Sequence, residues 1–285
     1  MYTTLISVAQ LQSLMASQQP LMVFDCSFEL MQPAAGDAQY QECHIAGAVR
    51  ADLDRHLSAH GAPDAASGGR HPLPSRDSFA AWLGSVGLRP DMQAVVYDRQ
   101  GANYCGRLWW LLKWAGHEAA AVLDGGLQAW LAAEGAVESG AGPTGQASHY
   151  PLTTPRTELV AADTVLSQLA SPNQTLLDAR GAPRFRGEVE PLDPVAGHIP
   201  GALNRPFADN LDANGCFKSP ELLKAEFDAL LAGRDPATVV HHCGSGVSAV
   251  PNIIAMEVAG LGRTALYAGS WSDWCSDRSR PVAQS

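Results

Sequence analysis

The chain repeats itself, and this limits its possible folds more than any other feature. Val23-Phe24-Asp25-Cys26 resembles Leu176-Leu177-Asp178-Ala179, and His44-Ile45-Ala46-Gly47-Ala48 resembles His198-Ile199-Pro200-Gly201-Ala202. Val95-Val96-Tyr97-Asp98 pairs with Val239-Val240-His241-His242, and Leu123 to Trp130 pairs with Tyr267 to Trp274. The four pairs keep one order, with offsets of 153, 154, 144 and 144 residues. Collinear matches at nearly fixed spacing mark two copies of one domain. The first copy carries about ten extra residues, which fit best in the Gly-, Ala- and Pro-rich stretch from Ser58 to Pro74. Ser139-Gly140-Ala141-Gly142-Pro143-Thr144-Gly145 lacks an apolar period and reads as a link. The expected organisation is an N-terminal domain over 1–140, a linker over 141–158 and a C-terminal domain over 159–285.

Within each copy, helices and strands alternate. Ser7 is placed to cap a helix whose apolar residues Val8, Leu11, Leu14 and Met15 recur at helical spacing. Leu21 to Phe24, Ala94 to Tyr97 and Ala119 to Leu123 are short apolar runs suited to buried parallel strands. Leu108 to Trp114 is the helix between the last two. The second copy offers strands at 175–177, 238–240 and 265–267, and helices at 220–231 and 249–259. The pattern predicts an α/β fold in which each domain is a mostly parallel sheet with helices on both faces. Sites in such folds form in loops at the C-terminal ends of strands.

Composition removes several function classes. The net charge of -10 disfavours nucleic acid as a partner, because phosphate backbones are repelled. No apolar run approaches the ~20 residues that span a bilayer, and no basic-then-apolar leader opens the sequence. A cytoplasmic protein is expected. The six cysteines are widely and irregularly spaced and form no CxxC pair, so neither a disulfide framework nor a structural zinc site is predicted. No cofactor is implied.

One cysteine stands apart by its surroundings. Cys243 follows the apolar strand that ends at His242; Gly244, Ser245 and Gly246 come next, then Val247, Ser248 and an apolar helix. The glycines permit a tight curl of inward-facing amides. Such a nest stabilises negative charge and is expected to raise the thiolate fraction of Cys243. Pro251 suits the first helical turn, where its missing N–H costs little. A metal at His241 and His242 is disfavoured, since neighbouring strand residues face opposite ways.

This loop resembles that of the tandem-domain rhodanese family, and most closely the mercaptopyruvate branch, whose loop reads CGSGVTA where this chain has Ser248 for Thr. Asp178-Ala179-Arg180 with Arg184-Phe185-Arg186-Gly187 resembles the family's DAR…RFxG segment, and Gly197 to Asn204 its GHIPGAxN. The segments Asp124-Gly125-Gly126 and Gly269-Ser270-Trp271 resemble those after each domain's last strand. The resemblance implies a sulfurtransferase that carries sulfur as a persulfide on Cys243. Arg184 is implied as the arginine for a donor carboxylate, with Arg180 and Arg186 near enough to share the role. Gly244, Gly246, Val247 and Ser248 are implied as donor-binding loop residues, and Ser245 either as a polar group beside the sulfur or as a turn residue. Asp54 and His71 match by position a first-domain pair that reaches towards the site, where a His–Asp pair could relay a proton. A surface pair is the other reading of these two.

The pattern departs from the family at one point. The branch carries a second donor-binding arginine in an EPR triplet, which here reads Glu190-Pro191-Leu192. The loop itself has no cation to match a doubly charged thiosulfate. The sequence therefore leaves two donors, 3-mercaptopyruvate first and thiosulfate second, with a non-catalytic sulfur-binding module as a third reading. Implied partners are a small anionic sulfur donor and an acceptor thiol such as a thioredoxin-like protein. No nucleic acid or membrane partner is expected, and the chain is expected to be a monomer. A thiolate phosphatase would need Arg six residues after Cys243, where Ala249 stands. Arg99 occupies the position of Cys243 in the first copy, so that copy is expected to be catalytically silent, with Asp98, Arg99 and Tyr104 walling a cleft or serving stability alone.

Overall fold

A computed structural model describes residues 1–285. The first copy contains β1 (Leu5–Ile6), α1 (Val8–Ala16), β2 (Leu21–Asp25), α2 (Ala35–Glu42), β3 (His44–Ile45), β4 (Val49–Arg50), α3 (Arg76–Ser85), β5 (Gln93–Tyr97), α4 (Cys105–Ala115), β6 (Ala120–Leu123), α5 (Gly126–Ala132) and β7 (Val137–Glu138). The second contains β8 (Glu158–Leu159), α6 (Ala162–Ser167), β9 (Thr175–Asp178), α7 (Ala182–Arg186), β10 (Leu203–Asn204), α8 (Pro220–Leu231), β11 (Val239–His242), α9 (Val250–Val258), β12 (Ala265–Leu266) and α10 (Ser270–Trp274).

Each copy builds one five-stranded parallel sheet, in the order β1-β6-β5-β2-β4 and β8-β12-β11-β9-β10. The two orders correspond strand for strand, so the sequence repeat is a repeat of topology. The fold is thus two α/β domains with parallel sheets and alternating helices. In the first, β2 and β5 pair over five residues from Leu21–Gln93 to Asp25–Tyr97; in the second, β9 and β11 pair from Thr175–Val239 to Asp178–His242. The strand that ends at the candidate loop is therefore central in its sheet, flanked by β9 and β12.

The reasons for the elements are local. Ser7 caps α1 through its hydroxyl on the Gln10 amide, and Gln10 returns a bond to the Ser7 amide, a capping box. Ser219 caps α8, with Pro220 in its first turn. Each apolar core is closed by the repeated tryptophan: the Trp130 indole donates to Ala136 O (3.0 Å), and that of Trp274 to Pro281 O (2.8 Å). Pairing the indole N–H removes the cost of burying it with so large a ring. The repeated histidine is structural as well. His44 stacks on Tyr40 and bonds its carbonyl; His198 stacks on Phe185 and bonds its carbonyl, each pair of rings 3.9 Å apart.

Strands β2 and β9 each run one residue further than apolarity predicts, to Asp25 and Asp178, both fully buried. Backbone and arginine donors satisfy both oxygens of Asp178, while Asp25 accepts the Ser27 amide through Oδ1 alone, so polarity does not end either strand there. The compact units are not plain halves of the chain. One comprises Met1–Ala59, Pro74–Arg156 and Ala213–Phe217; the other comprises His60–Leu73, Thr157–Asp212 and Lys218–Ser285. The Gly-rich insertion of the first copy thus packs with the second unit. No helix is long and apolar enough to cross a membrane.

Candidate active site

At the end of β11 the chain leaves the sheet at Cys243 and makes a run of bends before α9. Gly246 has φ +74, and a side chain there would run into the Ala268 carbonyl, so both torsion and space require glycine. The loop is pinned from outside by α10. Trp271 N donates to Cys243 O and Ser272 N to Gly244 O, both at 2.9 Å. The Cys243 amide donates to Ser270 Oγ (3.0 Å), and that hydroxyl donates to Tyr267 O (3.0 Å). Ser270 itself adopts φ +55, a conformation costly for a residue with a side chain and held here by these bonds. With the carbonyls of Cys243 and Gly244 tied to α10, the amides of Gly244, Ser245, Val247 and Ser248 meet no acceptor in the protein. A cluster of unpaired amides around one loop is what an anion requires.

Cys243 is only 2% exposed. Burial and acidic neighbours push Cys26 and Cys105 well up, and burial pushes Cys275 up, so these remain protonated core residues. His71 and Ser245 are brought together: the imidazole Nδ1 lies 2.7 Å from Ser245 Oγ, both groups buried. Val247 is buried and Ser248 half-buried at the start of the turn into α9. Asp54 lies in the first unit, half-buried, its amide on Asp52 Oδ1 (3.0 Å).

The three candidate arginines separate clearly. Arg180 is buried, donates to Asp178 (2.7 Å) and Gly197 O (2.7 Å), and stacks over Trp271 at 4.7 Å. Burial opposes its charge, but Asp178 outweighs burial and holds its pKa above the ordinary value. Arg186 pairs with Glu188 at the surface. Of these three, Arg184 is the one beside Gly244: a side chain there would meet its Nη1 at 3.4 Å. Its remaining nitrogens are held by Glu190 (2.6 Å) and Asp193 (3.3 Å). Glu190 Oε1 also accepts from the amides of Leu192 and Asp193, folding that segment back on itself. Residues 241 and 242 are fully buried, and desolvation pushes His241 down to about 3, which makes it a neutral core group. No cluster of three or more metal-ligating side chains is present.

The rhodanese-like domain model matches the chain twice, over residues 7–133 and 161–277. The chain belongs to the rhodanese family. A relative from Pseudomonas aeruginosa named "Probable 3-mercaptopyruvate sulfurtransferase" is 47% identical over 268 residues, covering 94% of this chain and 93% of its own. The thiosulfate sulfurtransferase of Bos taurus is 32% identical over 259 residues, covering 89% and 84%. The solved 3-mercaptopyruvate sulfurtransferase from Leishmania major superposes with a TM-score of 0.82 at 30% identity, covering 98% of this chain and 76% of that one. This rhodanese is accordingly a sulfurtransferase, and its two rhodanese-like domains match the two copies of the repeat.

Sequence reasoning overlooked three groups at the rhodanese loop: Arg70, whose Nη2 also lies 3.3 Å from where a Gly244 side chain would begin, Asp193, and Ser270. The only signal for Arg70 was its place beside His71 in a segment otherwise poor in charge. Ser270 was visible inside a family segment, but its left-handed backbone was not.

Proposed function

We propose that the protein is a 3-mercaptopyruvate sulfurtransferase acting through a persulfide on Cys243. The Cys243 thiolate attacks the donor sulfur and forms an S–S bond. The carbon–sulfur bond breaks, its electron pair passes to the carbon as an enolate, and the donor's thiol proton is returned to that carbon to give pyruvate. The persulfide anion rests on the unpaired amides of Gly244, Ser245, Val247 and Ser248 until an acceptor thiol, or cyanide, removes the outer sulfur.

The observation that carries the choice of donor is the 2.7 Å contact between His71 and Ser245 beside this loop. An enolate leaving group needs a proton, and a His–Ser pair supplies a path for one. Sulfite, the leaving group of thiosulfate, departs as a stable anion and needs none. The charge balance agrees. Arg184 and Arg70 stand beside Glu190 and Asp193, so the pocket offers directed N–H groups without net positive charge. Such a site suits a singly charged carboxylate better than a dianion. Asp54 enters this reading on family resemblance. An acceptor of the thioredoxin type, a monomeric state and a cytoplasmic location complete it.

Mass spectrometry of the protein mixed with mercaptopyruvate is expected to show one added sulfur on Cys243. Its absence, or its persistence in Cys243→Ser, would sink the mechanism. Turnover with the two donors side by side is expected to favour mercaptopyruvate; equal or better use of thiosulfate would reverse the choice.

A further inference from the structure

We infer that Arg70 is a second donor-binding residue, forming with Arg184 a two-guanidinium clamp for the donor carboxylate. Arg70 comes from the insertion of the first copy and Arg184 from α7, yet both end at Gly244, with Nη2 and Nη1 at 3.3 and 3.4 Å from the start of an imagined side chain there. Asp193 holds the pair from one side: Arg70 Nη1 donates to its Oδ1 (2.6 Å) and Arg184 Nη2 to its Oδ2 (3.3 Å). That arrangement leaves Arg70 Nη2 and Arg184 Nη1 without protein acceptors next to the loop. Arg70 Nε is fully buried and makes no hydrogen bond. A buried, unpaired donor on a charged group is costly unless something else satisfies it, and a bound carboxylate would do so.

The main chain is shaped to deliver this side chain. The Arg70 amide donates to Ser272 Oγ (2.9 Å) on α10, the helix whose amides also fix the carbonyls of Cys243 and Gly244. Gly69, at φ +88, lies so close to the Gly269 carbonyl that any side chain would be excluded. The insertion and the cysteine loop are thus indexed to one helix, which fixes the distance between cation and sulfur. Two forks converging on one carboxylate give bidentate recognition that a single arginine would not.

The inference rests on the keto-acid reading only for the identity of the donor. Its test separates the two. Cys243 is alkylated with iodoacetate and with iodoacetamide, and the rates are read at that residue by mass spectrometry. In Arg70→Met the rate ratio of iodoacetate to iodoacetamide is expected to fall about ten-fold or more, with the iodoacetamide rate nearly unchanged. The KM for mercaptopyruvate is expected to rise by a similar factor, with kcat reduced far less. Arg70→Lys, which keeps charge but not the fork, should lie between, and it serves alone if Arg70→Met does not fold. An unchanged ratio, or equal losses with both reagents, would overturn the clamp whichever donor the enzyme uses. A fallen ratio in an enzyme that prefers thiosulfate would leave the clamp standing and remove the donor assignment.

Discussion

The loops after β5 and β11 occupy matching places in the repeat and solve one problem in opposite ways. In the first copy, Asp98 follows the strand with a side chain 1% exposed, and the amides of Gln100, Ala102, Tyr104 and Cys105 all donate to it, at 2.9, 3.1, 2.8 and 2.9 Å. Its neighbour Arg99, in the place of Cys243, turns away to Ser27 Oγ and the carbonyls of Gln39 and Cys43. In the second copy the amides of Gly244, Ser245, Val247 and Ser248 have no internal acceptor. The same turn that is permanently filled by a side-chain anion in one domain is left open in the other. The two copies therefore differ by more than Arg99 against Cys243: in the first, the cradle of amides is already occupied. Asp98 and Arg99 both have internal partners, which is the signature of a stabilising role.

Four experiments press on this contrast. The largest effect is expected from Cys243→Ser, which should lose a thousand-fold or more of turnover, while Cys105→Ser in the filled loop's helix should change turnover little; assay of both under saturating donor decides it. Next is Asp98→Ala, which strands four amides, three of them buried. It should cost about 3 kcal/mol of stability, over a hundred-fold in the folding equilibrium, read as a lowered urea midpoint. A neutral outcome would break the idea of a built-in anion. His71→Ala should reduce kcat about a hundred-fold with mercaptopyruvate and much less with thiosulfate, since only the enolate needs a proton. Equal losses would mean that His71 orders the loop without moving a proton.

The smallest expected effect concerns pH. Burial depresses the pKa of His241 to about 3, so the folded state keeps it neutral. The unfolded chain protonates it below the ordinary value of ~6.5, so stability falls as pH drops from there towards 3. Relative to pH 7.5, His241 should cost about 2 kcal/mol at pH 5. His241→Gln should flatten that part of the urea-midpoint profile; an unchanged slope would show that other groups dominate. The residue matching His241 in the first copy is Tyr97, whose hydroxyl accepts the Ile45 amide and which burial keeps protonated.

Much of the fold was legible because central parallel strands are apolar on both faces and follow one another in a repeat. The two-residue strands β1, β4, β8 and β10 escaped, since two residues carry no period. The reach of β2 and β9 to Asp25 and Asp178 escaped because those positions become strand only by pairing with Tyr97 and His242, far along the chain. At the site, Cys243 and its glycines announced themselves through local spacing. Resemblance brought His71 towards the site as a partner of Asp54; its contact with Ser245, across 174 residues, left no mark in the sequence. Arg70 and Asp193 carry no local signature, because their significance arises from a contact 123 residues long.

One consequence follows from the insertion that holds Arg70 and His71. It is encoded inside the first copy and folds with the second unit. Conversely, Ala213–Phe217 is encoded in the second copy and folds with the first unit, with the Phe217 amide on Asp124 Oδ1 (2.8 Å). Each copy has thus lent the other a strip of itself. A gene cut at the Gly-rich linker would yield two fragments, each missing a part it cannot make. Expressed alone, neither copy would carry the whole of a compact unit.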